Sequence, residues 1–170
     1  WRLLPKWWND QQTPMYRRIK NPWLGKEGYN CIGCSPGNPI GLHMQFYVDG
    51  EAVVGVWHPG EHYQGWIDTL HGGIVSLILD ETAAWYVGYF KQVTGVTTHL
   101  DVKFVKPVST RWEKVEARAT KVSEDRARIT LHVELLGPEG VVCATADATY
   151  FMNPRQLRDE RLKVRFETEE

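Results

Sequence analysis

The sequence predicts an α+β fold in which a curved antiparallel β-sheet wraps one long central helix. Three observations carry that expectation. A stretch from His71 to about Phe90 runs without proline, with Ile74, Val75, Leu77, Ile78, Leu79, Ala83, Ala84, Trp85 and Val87 spread around the whole helical circumference. That distribution marks a helix covered on every side rather than an amphipathic surface helix. A hairpin pattern precedes it and four closely spaced strand patterns follow. A lone helix of this kind is covered all round only if a sheet curves about it.

Taken in order, residues 1–30 hold Trp1, Trp7, Trp8, Trp23 and Tyr29 among Arg, Lys, Asn and Pro, without a period. They read as an arm that packs its aromatics onto the domain or a neighbouring subunit, with a docking segment for an outside partner as the alternative. Cys31-Ile32-Gly33-Cys34 opens a glycine- and proline-rich loop reaching Leu42. A Cys-x-x-Cys is half of a zinc site, but zinc takes four ligands and the chain has no second pair; a redox pair or disulfide is the other alternative, and a structured loop without metal is expected. His43 is a conceivable third ligand and reads more simply as a strand residue. Leu42–Val48 and Ala52–Trp57 alternate around Asp49-Gly50, a hairpin signal. A polar link over 59–70 leads into the helix, and Gly95 marks its stop. The strand patterns are Thr97–Val105, Glu113–Val122, Arg126–Leu136 and Val141–Met152, an expected meander broken at Ser123-Glu124-Asp125 and Gly137-Pro138-Glu139-Gly140. Residues 153–170 are highly charged and read as a solvated extension. One domain over 31–152 is expected, with an arm before it and a tail after it.

Composition narrows the function. At 170 residues the chain is long enough for one sizeable core, and its formal net charge of −1 argues against general binding to nucleic acid or membrane surfaces. No apolar run approaches a membrane span and no signal-peptide pattern is visible. Three cysteines, an odd number, do not suggest a disulfide scaffold, so a reducing cytoplasm is the expected location.

The chemistry centres on Asp80, a carboxylate in the middle of the apolar helix. Burying it is costly unless it is paired, hydrogen-bonded or put to use. Gly72 and Gly73, after His71, open the helix with free N–H groups and the positive dipole end. Such donors stabilise an oxyanion during acyl transfer. Asp80 is then a base that activates water, or a nucleophile. Thr97 and Thr98, opening the next strand, offer hydroxyls for the water or the carbonyl. The plain alternatives are a structural acid at Asp80 and simple β-propensity at the threonines. Glu81 is a rival acid, read more simply as a hydrogen-bond or ion-pair partner. Asp80 lies about 13 Å along the axis from His71 and faces nearly the opposite side. One substrate atom cannot reach both Gly72 and Asp80 of a single chain, so a catalytic reading requires a homodimer with sites astride its interface.

The runs Tyr63-Gln64-Gly65-Trp66, Leu70-His71-Gly72-Gly73 and Leu79-Asp80-Glu81, with Thr97-Thr98-His99-Leu100-Asp101-Val102-Lys103-Phe104-Val105-Lys106-Pro107 after them, resemble the hot-dog acyl-CoA thioesterases of the PaaI-like, phenylacetate-type branch. The loop Cys31–Leu42 resembles the corresponding loop of many such proteins, and the likeness covers about residues 31–152. The resemblance implies a hot-dog fold and hydrolysis of an acyl-CoA or aryl-CoA thioester. It implies Asp80 as nucleophile or base, Gly72 as amide donor to the thioester carbonyl, Thr97 as orienter of water and His71 as a positioning residue. It also implies dimers that often pair into tetramers, with no metal or redox cofactor; CoA belongs to the substrate. Several members carry Asn where this chain has Gly65, and Gln64 beside it is the candidate replacement. Gln64, Gly65, Gly73 and Thr98 complete the expected substrate contacts. The alternative function is a non-catalytic acyl-CoA or small-ligand binding module on the same fold.

Overall fold

A computed structural model describes residues 16–170. The elements are β1 (Arg17–Arg18), β2 (Gln45–Asp49), β3 (Ala52–Trp57), β4 (Gln64–Trp66), β5 (Thr69–Leu70), helix α1 (Gly72–Lys91), β6 (Gly95–Phe104), β7 (Val115–Asp125), β8 (Arg128–Leu136), β9 (Val142–Met152) and the short helix α2 (Pro154–Arg158). Seven strands form one antiparallel sheet in the order β1-β2-β3-β7-β8-β9-β6, while β4 and β5 form a separate two-stranded ribbon. The α+β architecture is the expected one: α1 packs against β3 and β6 to β9.

Small side chains let the helix sit close. Ala117, Ala119, Ala144, Ala146 and Ala148 line the inner face of the sheet opposite Ile78, Leu79, Ala83 and Val87, all buried. Larger residues, Ile129, Leu131, Val133 and Leu135, alternate along β8 with half-exposed or exposed neighbours, so one face of the strand carries the core. Cover is nonetheless incomplete. Ile74, Leu77 and Ala84 stay partly exposed and Gly73 is open, so the sheet of one chain does not enclose α1 on every side as its composition suggested.

Strand order departs from a simple meander. Of the four strands after α1, only β7, β8 and β9 follow one another in the sheet, whereas β6 lies beyond β9 at the edge and the chain then crosses to set β7 beside β3. The burial patterns explain this. β6 is exposed along nearly its whole length, which suits an edge, while β7 buries Val115, Ala117 and Ala119 and suits the interior. Turn positions also shift. The β7–β8 turn falls at Arg126-Ala127, with Arg126 at φ 46°, rather than at residues 123–125. α1 stops at Gln92, at φ 58°, not at Gly95. Gln92 serves there because its side chain holds the next segment: Nε2 donates to Tyr89 O and Phe166 O, and Oε1 accepts from Phe166 N.

Phe166 corrects the expectation of a solvated tail. Asn153 caps α2, accepting from the N–H groups of Arg155 and Gln156, and the chain then returns along residues 18–20. Lys20 N donates to Glu167 O, Glu169 N donates to Arg18 O, and Ile19 bridges Thr168. Phe166 is 8% exposed and meets Trp85 edge-on at 5.5 Å and Trp23 edge-on at 6.3 Å. Glycine at 88 makes the seat possible, since a Cβ there would fall 2.4 Å from Phe166 Cζ. Trp23 and Tyr29 of the arm pack on the core, while Trp1, Trp7 and Trp8 lie outside the described residues. No described helix is long and apolar enough to cross a membrane.

Phe166→Ala should therefore behave as a core truncation, lowering unfolding stability by about 3 kcal/mol. Urea denaturation checks this: a tail lying in solvent would leave the midpoint unchanged.

Candidate functional site

Asp80 sits mid-helix and is half-buried. Its Oδ1 accepts from Thr97 Oγ1 at 2.9 Å and from the Tyr150 hydroxyl at 2.5 Å, and the same hydroxyl lies 2.7 Å from the Asp80 carbonyl oxygen. Among the described residues no donor is placed on Oδ2. One carboxylate oxygen is thus held by two hydroxyls while the other keeps its lone pairs for a ligand. Tyr150 was not singled out by sequence reasoning. Its signal was there in the alternation of β9, where Ala144, Ala146 and Ala148 precede it on the inward face and it alone carries a polar atom. Burial, then the charge of Asp80, raises the Tyr150 pKa, so its proton stays in place and it acts only as a donor.

A local irregularity sets this geometry. Thr97 pairs with Tyr150 and His99 with Thr149, which leaves Thr98 as the extra residue of a bulge. The bulge keeps Thr97 on the face of Tyr150 and Asp80. It sends Thr98 elsewhere: its Oγ1 donates to Thr149 O at 3.0 Å, so the two neighbouring threonines have separate partners.

At the other end of the same helix, His71 is the N-cap, and its Nδ1 accepts from Gly73 N at 2.9 Å. The N–H groups of Ile74 and Val75 donate to His71 O. Gly72 is left as the first-turn amide with no acceptor among the described residues. It lines a pocket of about 330 Å³ with Val75, Phe104, Lys106, Val108 and Ala144. Asp80 is not part of that lining. The amide and the acid therefore lie apart on one chain, about 12 Å along the axis of α1. A larger hollow of about 600 Å³, between Trp23, Lys26, Gln156 and Val164, includes neither Asp80 nor Gly72.

Gln64 and Gly65 lie on β4, exposed, before the helix. Gln64 Oε1 accepts from Asp68 N at 3.3 Å. Gly65 packs against the N-cap, where a Cβ would fall 3.0 Å from His71 Cα, so a side chain at this position would have to shift the N-cap.

A second cluster lies on the opposite side of α1. Cys31 Sγ, Cys34 Sγ and a Glu81 carboxylate oxygen all lie within 4.8 Å of one another. Burial pushes the Glu81 carboxyl up to about 7. The Cys34 thiol and the N–H groups of Cys34 and Gly33 hold Cys31 down to about 5, while the contact with Cys31 and burial push Cys34 up. All three cysteines are free thiols. His43, at φ 55°, turns away to Asn38 O and takes no part.

A family model described as the thioesterase superfamily matches residues 68–144, from the approach to α1 into β9. An uncharacterized protein of Schizosaccharomyces pombe is 31% identical over 121 residues, which is 65% of this chain and 65% of that protein. Among solved structures, one described as a thioesterase superfamily protein superposes with a TM-score of 0.64 at 20% identity, covering 72% of this chain and 60% of the other. The Escherichia coli PaaI protein of the phenylacetic acid degradation operon superposes with a TM-score of 0.60 at 14% identity, covering 66% of this chain and 80% of its own. The chain thus spans just under two thirds of the yeast relative and of the first of these structures. Residues 68–144 are thus similar to the thioesterase superfamily, and the chain has the hot-dog fold that these solved structures share.

Proposed function

We propose that the protein hydrolyses an acyl-CoA or aryl-CoA thioester at a site shared between two copies of the chain. The observation that carries this is the state of Asp80, whose Oδ1 is fixed by Thr97 and Tyr150 while Oδ2 has no donor placed on it. Asp80 takes the proton of a water as that water attacks the thioester carbonyl, and the CoA thiolate leaves. The partner's Gly72 supplies its N–H to the developing oxyanion, strengthened by the dipole of α1. His71 holds Gly73 N and so leaves Gly72 as the free amide. Gly73, Gly65 and Gln64 border the acyl group on this side, and Thr98 completes the neighbouring strand.

A second copy has a place to bind. β6 ends the sheet with its outer edge unpaired among the described residues, and Val96 and Phe104 are largely exposed along it. Long exposed edge strands with apolar side chains are templates for pairing. An antiparallel pairing of two β6 edges brings the start of one helix towards the middle of the other, which is what an acid and an amide about 12 Å apart along one helix need.

Asp80→Asn should leave a folded dimer and lower kcat/KM by about a thousandfold or more, as loss of a catalytic base does. Tyr150→Phe, which removes only the hydroxyl, should cost about tenfold to a hundredfold with little change in KM. A panel of acyl- and aryl-CoA thioesters with free-thiol detection reads both; ligand binding with no thiol released by the unmodified protein would favour a binding module instead.

The shared site has a sharper test. Gly72→Pro deletes the amide but fits the first helical position, and His71 at φ −64°, ψ 134° already has the backbone that precedes a proline. Each variant alone should be nearly inactive. Co-expressed Asp80→Asn and Gly72→Pro chains should recover about a quarter of normal activity, because half the dimers are mixed and each of these has one intact site. Sites built within single chains would recover none.

A further inference from the structure

We infer that Cys31, Cys34 and Glu81 form a binding site for a thiophilic divalent cation of the Zn2+ class, separate from the Asp80 site. The inference does not depend on the hydrolase reading. The three ligand atoms come from two distant parts of the chain, a tight turn at 31–34 and the middle of α1, and converge to within 4.8 Å. The Cys31 Sγ to Glu81 Oε1 separation is 3.4 Å. Zinc bonds sulfur at about 2.3 Å and carboxylate oxygen at about 2.0 Å, so the edge between two such ligands of a tetrahedron is about 3.5 Å. That one edge therefore already has the length the ion would set, with the Cys34 sulfur within 4.8 Å of both atoms.

Groups around the ligands are arranged as a metal site requires. Cys31 Sγ accepts from Gly33 N at 3.3 Å and Cys34 N at 3.4 Å, which favours a thiolate there. Cys34 Sγ accepts from the Tyr29 hydroxyl at 3.0 Å, and that hydroxyl is held in turn by Asn21 Nδ2 at 2.7 Å. Trp85 Nε1 donates to Glu81 Oε1 at 3.1 Å. Each ligand thus has a fixed outer partner, the feature that orients ligands and tunes a bound metal. Gly33 belongs to the design as well. A Cβ there would fall 2.6 Å from Glu81 Cδ, so only glycine lets the carboxylate press against the turn.

Glu81 supplies the reason for a cation. It is largely buried, and no Lys or Arg among the described residues pairs with it. A buried carboxylate beside two sulfurs is costly unless a positive charge joins it. Two thiolates select a soft or borderline ion over Mg2+ or Ca2+. Binding releases to solvent whatever protons the two sulfurs and the carboxyl still carry, and the two thiolates and one carboxylate then exceed the ion by a single negative charge, which the Tyr29 and Trp85 donors and the turn amides offset. Three protein ligands leave a fourth position for water, reached from the half-exposed side of Cys31.

Titrating the reduced full chain with Co2+ tests this. One equivalent should produce a sulfur-to-cobalt charge-transfer band and the visible bands of tetrahedral cobalt, and Zn2+ should abolish both by displacement. Cys31→Ser and Cys34→Ser should each lose the charge-transfer intensity of one thiolate. Glu81→Gln keeps both thiols and the side-chain size, and should shift the visible bands and weaken uptake. Zn2+ should also raise Tm in a concentration-dependent way in the unmodified chain, and circular dichroism of each variant establishes that it is folded. The site is overturned if cobalt keeps its hydrated spectrum while the thiols titrate as free. It is equally overturned if the band keeps its full intensity in each serine variant or persists in the double variant Cys31→Ser, Cys34→Ser, which would assign it to Cys143, or if Cys31 and Cys34 form a disulfide whose reduction restores no uptake.

Discussion

A carboxylate set within an apolar helix is the constraint around which this molecule is arranged. Asp80 needs donors, and the sheet supplies them from two strands that meet only because β6 lies beside β9. Had the strands after α1 run as a continuous meander, Thr97 and Tyr150 would not be register partners. The edge position of β6, the bulge at Thr98 and the small inward residues of β9 before Tyr150 all serve the same end. They bring two hydroxyls to one oxygen of one acid.

Much of this is visible in the amino-acid sequence. The helix from His71 onward, the Asp49-Gly50 hairpin and the β8 alternation follow from local periodicity, and local periodicity is what the structure keeps. The separation of Gly72 from Asp80, about 12 Å along the axis of α1, follows from helical geometry alone. What escaped was set by distant contacts. Gln92 ends the helix because Phe166 docks beside it, and nothing near residue 92 announces residue 166. Tyr150 reads as one more aromatic in a strand until its partner is known. The meeting of Cys31 and Cys34 with Glu81 escaped for the same reason, since the glutamate stands fifty positions on in the chain.

Adjacent residues on α1 face different chemistry as a result. Asp80 turns to β6 and β9, and Glu81, about 100° further round, turns to the loop at 31–34. The acid at 80 has hydroxyl neighbours and an open oxygen; the acid at 81 has sulfur, an indole N–H and glycine backbone. One turn of helix thus joins two polar sites that share no side chain, and each is shaped by the element packed on its own side.

The closure of residues 166–169 onto residues 18–20 bears on how the polypeptide is made. These contacts span nearly the whole described chain, and loop closure over such a distance is slow compared with pairing of neighbours. During synthesis the sheet and α1 leave the ribosome first, with Trp85 uncapped until the last stretch emerges. The nascent protein therefore passes through a stage in which its core is assembled but an aromatic flank stays open to chaperones and to other growing chains.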